Sequence, residues 1–312
     1  MLTDDGITYK KLELKPRNKA YRIFNKIIKC PYILVAPAVI LALWMTVYPM
    51  LFCVYVSFHN WDLISNTMTF NGLENFTYIF HDEAFMKSLA NTLIFTIATV
   101  AGGLFLQVLI GVFLNKNTKM HNLVQTVMFT PHIISSVAIT VVFMYLMMPK
   151  GGVFNLVIEF FGGKSLGWYT DAKTALLSII IIAVWSGLGY GVLIVISGLR
   201  SIPDYIYEAA RLDKSGKTNT FLHITVPLLS PTLFFLLVNS SLSALTSFDI
   251  VKLMTDGGPN NATSLITFYI YEQGLGFMHY GRAMAASVVL MLITCGLSII
   301  NFSLTGKKIH YQ

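Results

Sequence analysis

Six stretches of the 312-residue chain, at residues 33–58, 88–114, 123–148, 174–199, 228–248 and 283–304, contain no Asp, Glu, Lys or Arg. A helix needs about 20 apolar residues to cross a hydrocarbon core of about 30 Å, and each stretch is long enough. The expected fold is therefore all-α and integral to a membrane, with six transmembrane helices, the third carrying Pro131 near its start. Composition agrees. Charged residues make up 12% and hydrophobic residues 55% of the chain, and the mean hydropathy is +0.65. Soluble domains carry about 25% charged residues, so a water-covered surface cannot be built at half that level. An ordinary cytosolic enzyme, a disordered chain and a secreted disulfide scaffold are excluded.

The net charge of +7 reflects where the cations sit rather than a nucleic-acid partner. With the N-terminus inside, the inner segments hold sixteen Lys and Arg. Eight are in the tail (Lys10, Lys11, Lys15, Arg17, Lys19, Arg22, Lys26, Lys29), and the rest are Lys116, Lys119, Arg200, Arg211, Lys214, Lys217, Lys307 and Lys308. The outer segments hold six: Lys87, Lys150, Lys164, Lys173, Lys252 and Arg282. The positive-inside bias predicts that both termini are cytoplasmic. The tail is too long for a signal-peptide n-region and the first apolar run too long for an h-region. Residues 1–30 are thus read as an uncleaved basic tail and 31–312 as one membrane domain. Trp61, Trp168, Tyr169 and Tyr280 in the outer loops suit a membrane–water interface. Asn71-Gly72 and Gly257-Gly258-Pro259 are turn signals.

The inner loop at 200–227 is long and patterned. Pro203 and Asp204 start a helix, favouring the first turn and its dipole. Tyr205, Ile206, Ala209, Ala210 and Leu212 give it an apolar side, Ser215-Gly216 reads as a turn, and Phe221, Leu222, Ile224 and Val226 open a second segment that Pro227 interrupts. Such a helix–turn–helix either docks a soluble partner or lies on lipid headgroups.

Glu208-Ala209-Ala210, followed by Ile224-Thr225-Val226-Pro227, resembles the EAA loop of bacterial ABC importer permeases, whose pattern is E-A-A, three residues, G, nine residues and I-x-L-P. Lys214 stands at the Gly position and Val226 at the Leu position, so Gly216 is expected to supply the turn. Ser201-Ile202-Pro203, Thr255-Asp256-Gly257-Gly258-Pro259 and Tyr280-Gly281-Arg282-Ala283 followed by Ala285-Ala286 are similar to the carbohydrate-uptake permeases of the maltose and glycerol-3-phosphate type, over residues 30 to 305. The resemblance implies the type I ABC importer permease fold and a place in a bacterial inner membrane. It also implies a second homologous permease, two copies of a cytoplasmic ATPase that hold ATP and Mg, and an extracytoplasmic binding protein that delivers a sugar or related solute. The coupling residues it implies are Glu208, Ala209, Ala210, Asp213, Gly216, Ile224 and Pro227. This chain would bind no cofactor and catalyse no reaction.

A sugar path needs hydroxyl and amide groups beside apolar faces. Mid-span polar residues are the candidates, because lipid-facing surfaces lack them. The fifth stretch offers Asn239, Ser240, Ser243, Thr246 and Ser247, with Ser240, Ser243 and Ser247 on one helical face. The fourth offers Tyr190. Gln107 and Asn91 are weaker candidates. The alternative for all of them is back-bonding to helix carbonyls or helix–helix adhesion.

Other motifs carry no chemistry. Gly163-Lys164-Ser165 and Gly216-Lys217-Thr218 mimic the end of a phosphate loop, but Ile158 and Arg211 occupy the positions of its first Gly. Gly187, Gly189 and Gly191 lie in an apolar span, where close packing or local loosening of the helix is the reading. Gly281, Ala285 and Ala286 read as close-packing residues. His132 and His223 read as polar packing residues, Asp249 has no assigned role, and Cys30, Cys53 and Cys295 have no metal or disulfide spacing. An ion-coupled carrier would place ionisable groups mid-membrane, and a membrane enzyme would need a clustered nucleophile or metal set. Neither pattern is present.

Overall fold

The computed structural model describes residues 31–62, 65 and 67–305. The basic tail at 1–30, including Cys30, and Lys307 and Lys308 lie outside the described residues. In chain order the elements are α1 (Pro31–Ser57), the hairpin strands β1 (His59–Asp62) and β2 (Thr67–Phe70), α2 (Glu74–His81), α3 (Glu83–Leu114), α4 (Lys119–Ile133) and α5 (Ser136–Leu146). There follow α6 (Val153–Phe160), α7 (Ala175–Ser201), α8 (Asp204–Leu212), α9 (Lys217–Leu228), α10 (Ser230–Leu245), α11 (Asp249–Met254), α12 (Ile266–Tyr271) and α13 (Tyr280–Thr305).

Four of these, α1, α3, α7 and α13, are long and apolar enough to cross a bilayer unbroken. The other two expected spans are bent pairs: α4 meets α5 at 104° and α9 meets α10 at 65°. The count of six holds when each pair is taken as one span. The third stretch is therefore not one straight helix. Its break lies at Ile134, which is extended, and Ser135, which is also non-helical, and not at Pro131, which is inside α4. A proline removes one backbone donor and crowds the carbonyl four residues earlier, which weakens the helix that continues past it. The fifth stretch also departs from expectation. The segment from Phe221 does not stop at Pro227 but continues to Leu228, and the bend falls at Leu229. Pro231 then sits at the start of α10, where its missing N–H costs nothing.

The hairpin is an element the apolar pattern does not reveal. His59 pairs with Phe70 and Asp62 with Thr67 in an antiparallel ladder. Asn75 anchors it, its Nδ2 donating to Ser57 O at 2.9 Å and His59 O at 3.0 Å.

The chain divides into two compact units, one ending at Phe52 and one beginning at Cys53. The described part of the first is helical, with a widened turn at Leu43–Val47 and ring contacts from Tyr48 to Trp44 (6.4 Å) and Phe52 (6.2 Å). Its side chains are almost all exposed.

The second unit is built with its polarity reversed relative to a water-soluble fold. On α3, Ser88, Asn91, Thr92, Thr96 and Gln107 are buried, whereas Leu93, Ile94, Ile97, Phe105, Leu109 and Phe113 are exposed. Apolar surface facing lipid is not penalised, and polar groups find partners inside. An apolar cluster of Phe95, Ile139, Phe143, Ile179 and Ile182 joins α3, α5 and α7. Gly281 comes so close to His59 O that a Cβ would lie at 2.3 Å, and Ala285 and Ala286 are fully buried, so this end of α13 is close-packed as expected.

Helix α7 organises the unit. It forms the most extensive helix pair with α3 and the next most extensive with α4. Its glycine string is helical throughout, so packing rather than loosening is its use. A Cβ on Gly189 would lie 1.7 Å from Met128 O of α4, and one on Gly191 would lie 2.1 Å from Gln107 Cδ of α3. Gly187 has no atom within 4 Å of that position. Overpacking costs about 1–3 kcal/mol, and here the clash is with backbone that cannot rotate away. Gly189→Ala is expected to lower the thermal midpoint of the detergent-solubilised protein by several degrees, while Gly187→Ala leaves it nearly unchanged. Equal midpoints for the two variants would refute this packing role.

Candidate functional site

Helices α3, α7 and α10 and the break between α4 and α5 enclose a cavity of 330 Å³. That volume falls in the range of about 300–1,000 Å³ found for small-molecule sites. Tyr190, Asn239, Ser240, Ser243 and Ser247 all line it, and so does Gln107. Thr246 does not. It is exposed off the wall, and its hydroxyl donates to Leu242 O of its own helix at 2.9 Å. Asn91 is also elsewhere, donating to Asn261 O at 2.9 Å and Ser264 O at 3.0 Å.

Four polar lining residues escape sequence reading: Thr99, His132, Ser136 and Ser186. His132 is the most informative. Its ring stacks on Tyr190 with centroids 4.7 Å apart and planes at 20°. The α4–α5 break places it there, and a residue next to Pro131 was the only available signal. Ser136 Oγ donates to Asp249 Oδ2 at 2.8 Å, which gives Asp249 a structural role at the head of α11. Among the described residues, no Asp, Glu, Lys or Arg lines the cavity. Among the described residues, no group of three or more His, Cys, Asp or Glu could hold a metal ion.

The loop after α7 folds as a hook. Pro203 is extended and caps α8, whose first residue is Asp204. Ala210 is buried, whereas Glu208, Ala209, Arg211 and Asp213 are exposed and Leu212 is 84% exposed. Tyr207 Oη and Thr225 Oγ1, 3.3 Å apart, join α8 to α9. The α8 terminus is closed by two backbone bonds, Ser215 N to Ala210 O at 2.9 Å and Lys214 N to Arg211 O at 3.0 Å. This pattern requires a left-handed residue just past the helix. That residue is Lys214, at φ 54°. Gly216 has φ −67° and caps α9, so it does not supply the turn as the sequence suggested. Lys214 adopts the glycine conformation itself. Ile224 and Pro227 are half-buried, and Phe221–Thr225 forms a widened turn immediately before Val226 and Pro227. Leu229 at the bend is fully buried against Val195, Leu199 and Leu236.

The segment from Thr255 to Ile266 is stapled to α3. Lys87 Nζ donates to Asn260 O at 2.5 Å, and Ile266 N donates to Thr92 Oγ1 at 2.9 Å. Tyr269 donates its hydroxyl to Asp82 Oδ2 at 2.7 Å, while Asp82 Oδ1 caps α3 through Ala84 N. Burial, reinforced by the Asp82 carboxylate, pushes the Tyr269 phenol well above its ordinary pKa. One expected interface residue is corrected here. Trp168 is only 7% exposed, and its Nε1 donates to Asn155 Oδ1 at 2.9 Å, so it is a core residue rather than a headgroup anchor. Asn155 fixes it by also bonding Leu166 and Pro149 backbone groups, a buried polar knot that satisfies the indole.

Residues 103–304 match the family model of the binding-protein-dependent transport system inner membrane component. The chain belongs to this family. It is 33% identical over 292 residues to the Bacillus subtilis protein named "Probable ABC transporter permease protein YurN", covering 91% of this chain and 98% of that one. It is 30% identical over 290 residues to the sn-glycerol-3-phosphate transport system permease protein UgpA of Agrobacterium fabrum, covering 92% and 97%. The fold superposes with a TM-score of 0.78 on the crystal structure of a bacterial ABC transporter involved in the import of the acidic polysaccharide alginate, at 22% identity over 92% of this chain and 99% of that one. The chain is thus a membrane-spanning permease component of an ABC importer with the type I fold.

A left-handed conformation costs an L-residue about 1–2 kcal/mol, and glycine avoids that strain. Lys214→Gly is expected to raise the thermal midpoint of the purified protein by a few degrees. A lowered midpoint would show that the Lys214 side chain contributes more than its backbone strain removes.

Proposed function

We propose that this permease forms one half of the translocation path of an ATP-driven importer for a sugar or related solute. One observation carries the reading: the cavity and the hook belong to one continuous piece of chain. Helix α10, which presents Asn239, Ser240, Ser243 and Ser247 to the cavity, joins α9 through the single buried residue Leu229, and α9 holds α8 through Tyr207 and Thr225.

A second homologous permease supplies the other half of the path. Two copies of a cytoplasmic ATPase, which hold ATP and Mg, bind below, and an extracytoplasmic binding protein delivers the solute. The exposed face of α8 is the docking surface. Small Ala209 permits close approach, Glu208 offers a charged anchor, and the bare Leu212 side chain offers apolar area. Asp213, Gly216, Ile224 and Pro227 shape the turn and second arm behind it. The names of the relatives favour a carbohydrate or polyol derivative. The cation distribution favours a bacterial inner membrane with both termini, the basic tail at 1–30 included, in the cytoplasm. The path faces outward while the ATPases are closed on ATP and inward after their release.

Combining Glu208→Lys with Ala210→Gly is expected to leave ATP hydrolysis running while uptake by the reconstituted assembly falls severalfold. Unchanged uptake would remove α8 from the coupling role. Ser243→Leu and Tyr190→Ala are each expected to lower uptake while the subunits still co-purify. Wild-type transport in both would take this cavity out of the path.

A further inference from the structure

We infer that α6 is an in-plane membrane anchor: one face seats on the protein, and the other enters the lipid leaflet opposite the α8 hook. The charge-free stretches leave residues 149–173 as a loop between two spans. The anchor stands apart from the solute path and does not depend on it.

Helix α6 has two separate faces. At 3.6 residues per turn, Leu156, Phe160, Val153 and Val157 fall within an arc of about 100°, and Phe154, Asn155 and Ile158 lie on the other side. The second set is held inside. Phe154 meets Trp168 with ring centroids 5.6 Å apart, and Ile158 packs on the same apolar cluster. Asn155 donates to Pro149 O at 3.0 Å and to Leu166 O at 2.9 Å, so it ties the chain on both sides of the helix. The first set is bare. Val153, Leu156 and Val157 are exposed, Phe160 is 85% exposed, and Phe161, just past the helix, is 81% exposed. The end is fixed rather than frayed: Gly163 N bonds Ile158 O and Gly162 N bonds Glu159 O, both at 2.9 Å, with Gly162 at φ 80°. A contiguous exposed patch of large apolar side chains marks a contact surface.

Three observations make lipid its occupant. The first is depth. Helix α5 starts at the break on the cavity wall and has 11 residues, a rise of about 16 Å, or about half of a hydrocarbon core of about 30 Å. Its Ile139 and Phe143 pack in one cluster with Ile179 and Ile182, close to the start of α7. Helix α6 follows directly after Met147–Gly152 and therefore lies near one boundary of that core. The second is continuity. Tyr145 and Met148 at the end of α5 and Leu177 at the start of α7 are exposed, so the spans on either side of α6 present apolar surface there too. The third is chemistry. The bare face of α6 offers no donor or acceptor, whereas protein interfaces carry about one hydrogen bond per 100–200 Å². Lys150, Lys164 and Lys173, all exposed, stand before and after it in the chain, as cations that accompany an apolar face at a headgroup layer do. Glu159, the one carboxylate on α6, is engaged by the Ser165 hydroxyl.

The test uses the intact assembly in vesicles of phosphatidylethanolamine and phosphatidylglycerol, with Cys30, Cys53 and Cys295 changed to Ser and Phe160→Cys carrying a nitroxide. Electron paramagnetic resonance compares its collisions with oxygen, which concentrates in hydrocarbon, and with a neutral nickel chelate, which stays in water. Oxygen should dominate, placing the label about 5–10 Å below the headgroup level. The oxygen-to-nickel ratio should be severalfold higher than for a label at Lys164→Cys. Leu156→Cys, the second probe, should match Phe160→Cys. Dominant nickel collisions at both positions would overturn the inference, because α6 would then stand in water. Poor access to both reagents would also overturn it, because protein would then cover the face. Shielding present in the assembly alone would assign that cover to the second permease, and shielding that appears only on adding the binding protein would assign it to that protein.

Discussion

The contact of α7 with α4 at Gly189 sets the geometry of the second unit. With Met128 O where a side chain would begin, the two backbones are in contact, and the end of α4 is brought against the same turn of α7. His132 thereby meets Tyr190, and the chain beyond must turn away at Ile134 and Ser135. Two residues further along α7, on its other side, Gly191 makes room for the Gln107 amide from α3. Two side-chain deletions on one helix thus position two walls of the cavity.

The same logic governs polarity. With its hydroxyls and amides inside and its large apolar side chains outside, the unit is inverted relative to a fold in water. In a bilayer that arrangement is the stable one, because lipid tails offer polar groups nothing. Interior polar groups then divide by partner. Ser88, Asn91 and Thr92 are taken up by the segment before α12, and Asn155 by a tryptophan and the chain around it. Those around Ser240 and Ser243 face open space instead.

This division explains what the sequence could and could not reveal. Long charge-free runs identify membrane helices directly, and the α8 motif survives two substitutions because its spacing is long and specific. The face of α10 was legible from the i, i+3, i+7 placement of Ser240, Ser243 and Ser247. Thr246 was not separable from them by composition, since only the helix phase turns it off the wall. His132 was hidden because its position depends on a bend, and a bend at Ile134–Ser135 three residues after a proline leaves no periodic signature. Lys214 shows the limit of motif reasoning. The motif locates the turn, but which residue takes the left-handed backbone is decided by the hydrogen bonds that end α8. Trp168 looked like an interfacial aromatic until Asn155, thirteen residues earlier, satisfied its indole.

The break between α4 and α5 has a consequence for insulation. Helix ends leave backbone donors and acceptors unpaired, and Ser135 makes no side-chain cap for α5. Non-helical backbone at bilayer depth is tolerated where it is covered by protein or bathed by water, and this break lies on the cavity wall. The cavity supplies the second kind of cover whenever water enters it. Hydration there would be hazardous in a membrane that stores a proton gradient, because a file of water flanked by carboxylates conducts protons. Among the described residues, the lining holds a single imidazole, and the carboxylate beside it, Asp249, is held by Ser136 at 2.8 Å. Water in such a space would meet one imidazole and one hydrogen-bonded carboxylate rather than a continuous file of them.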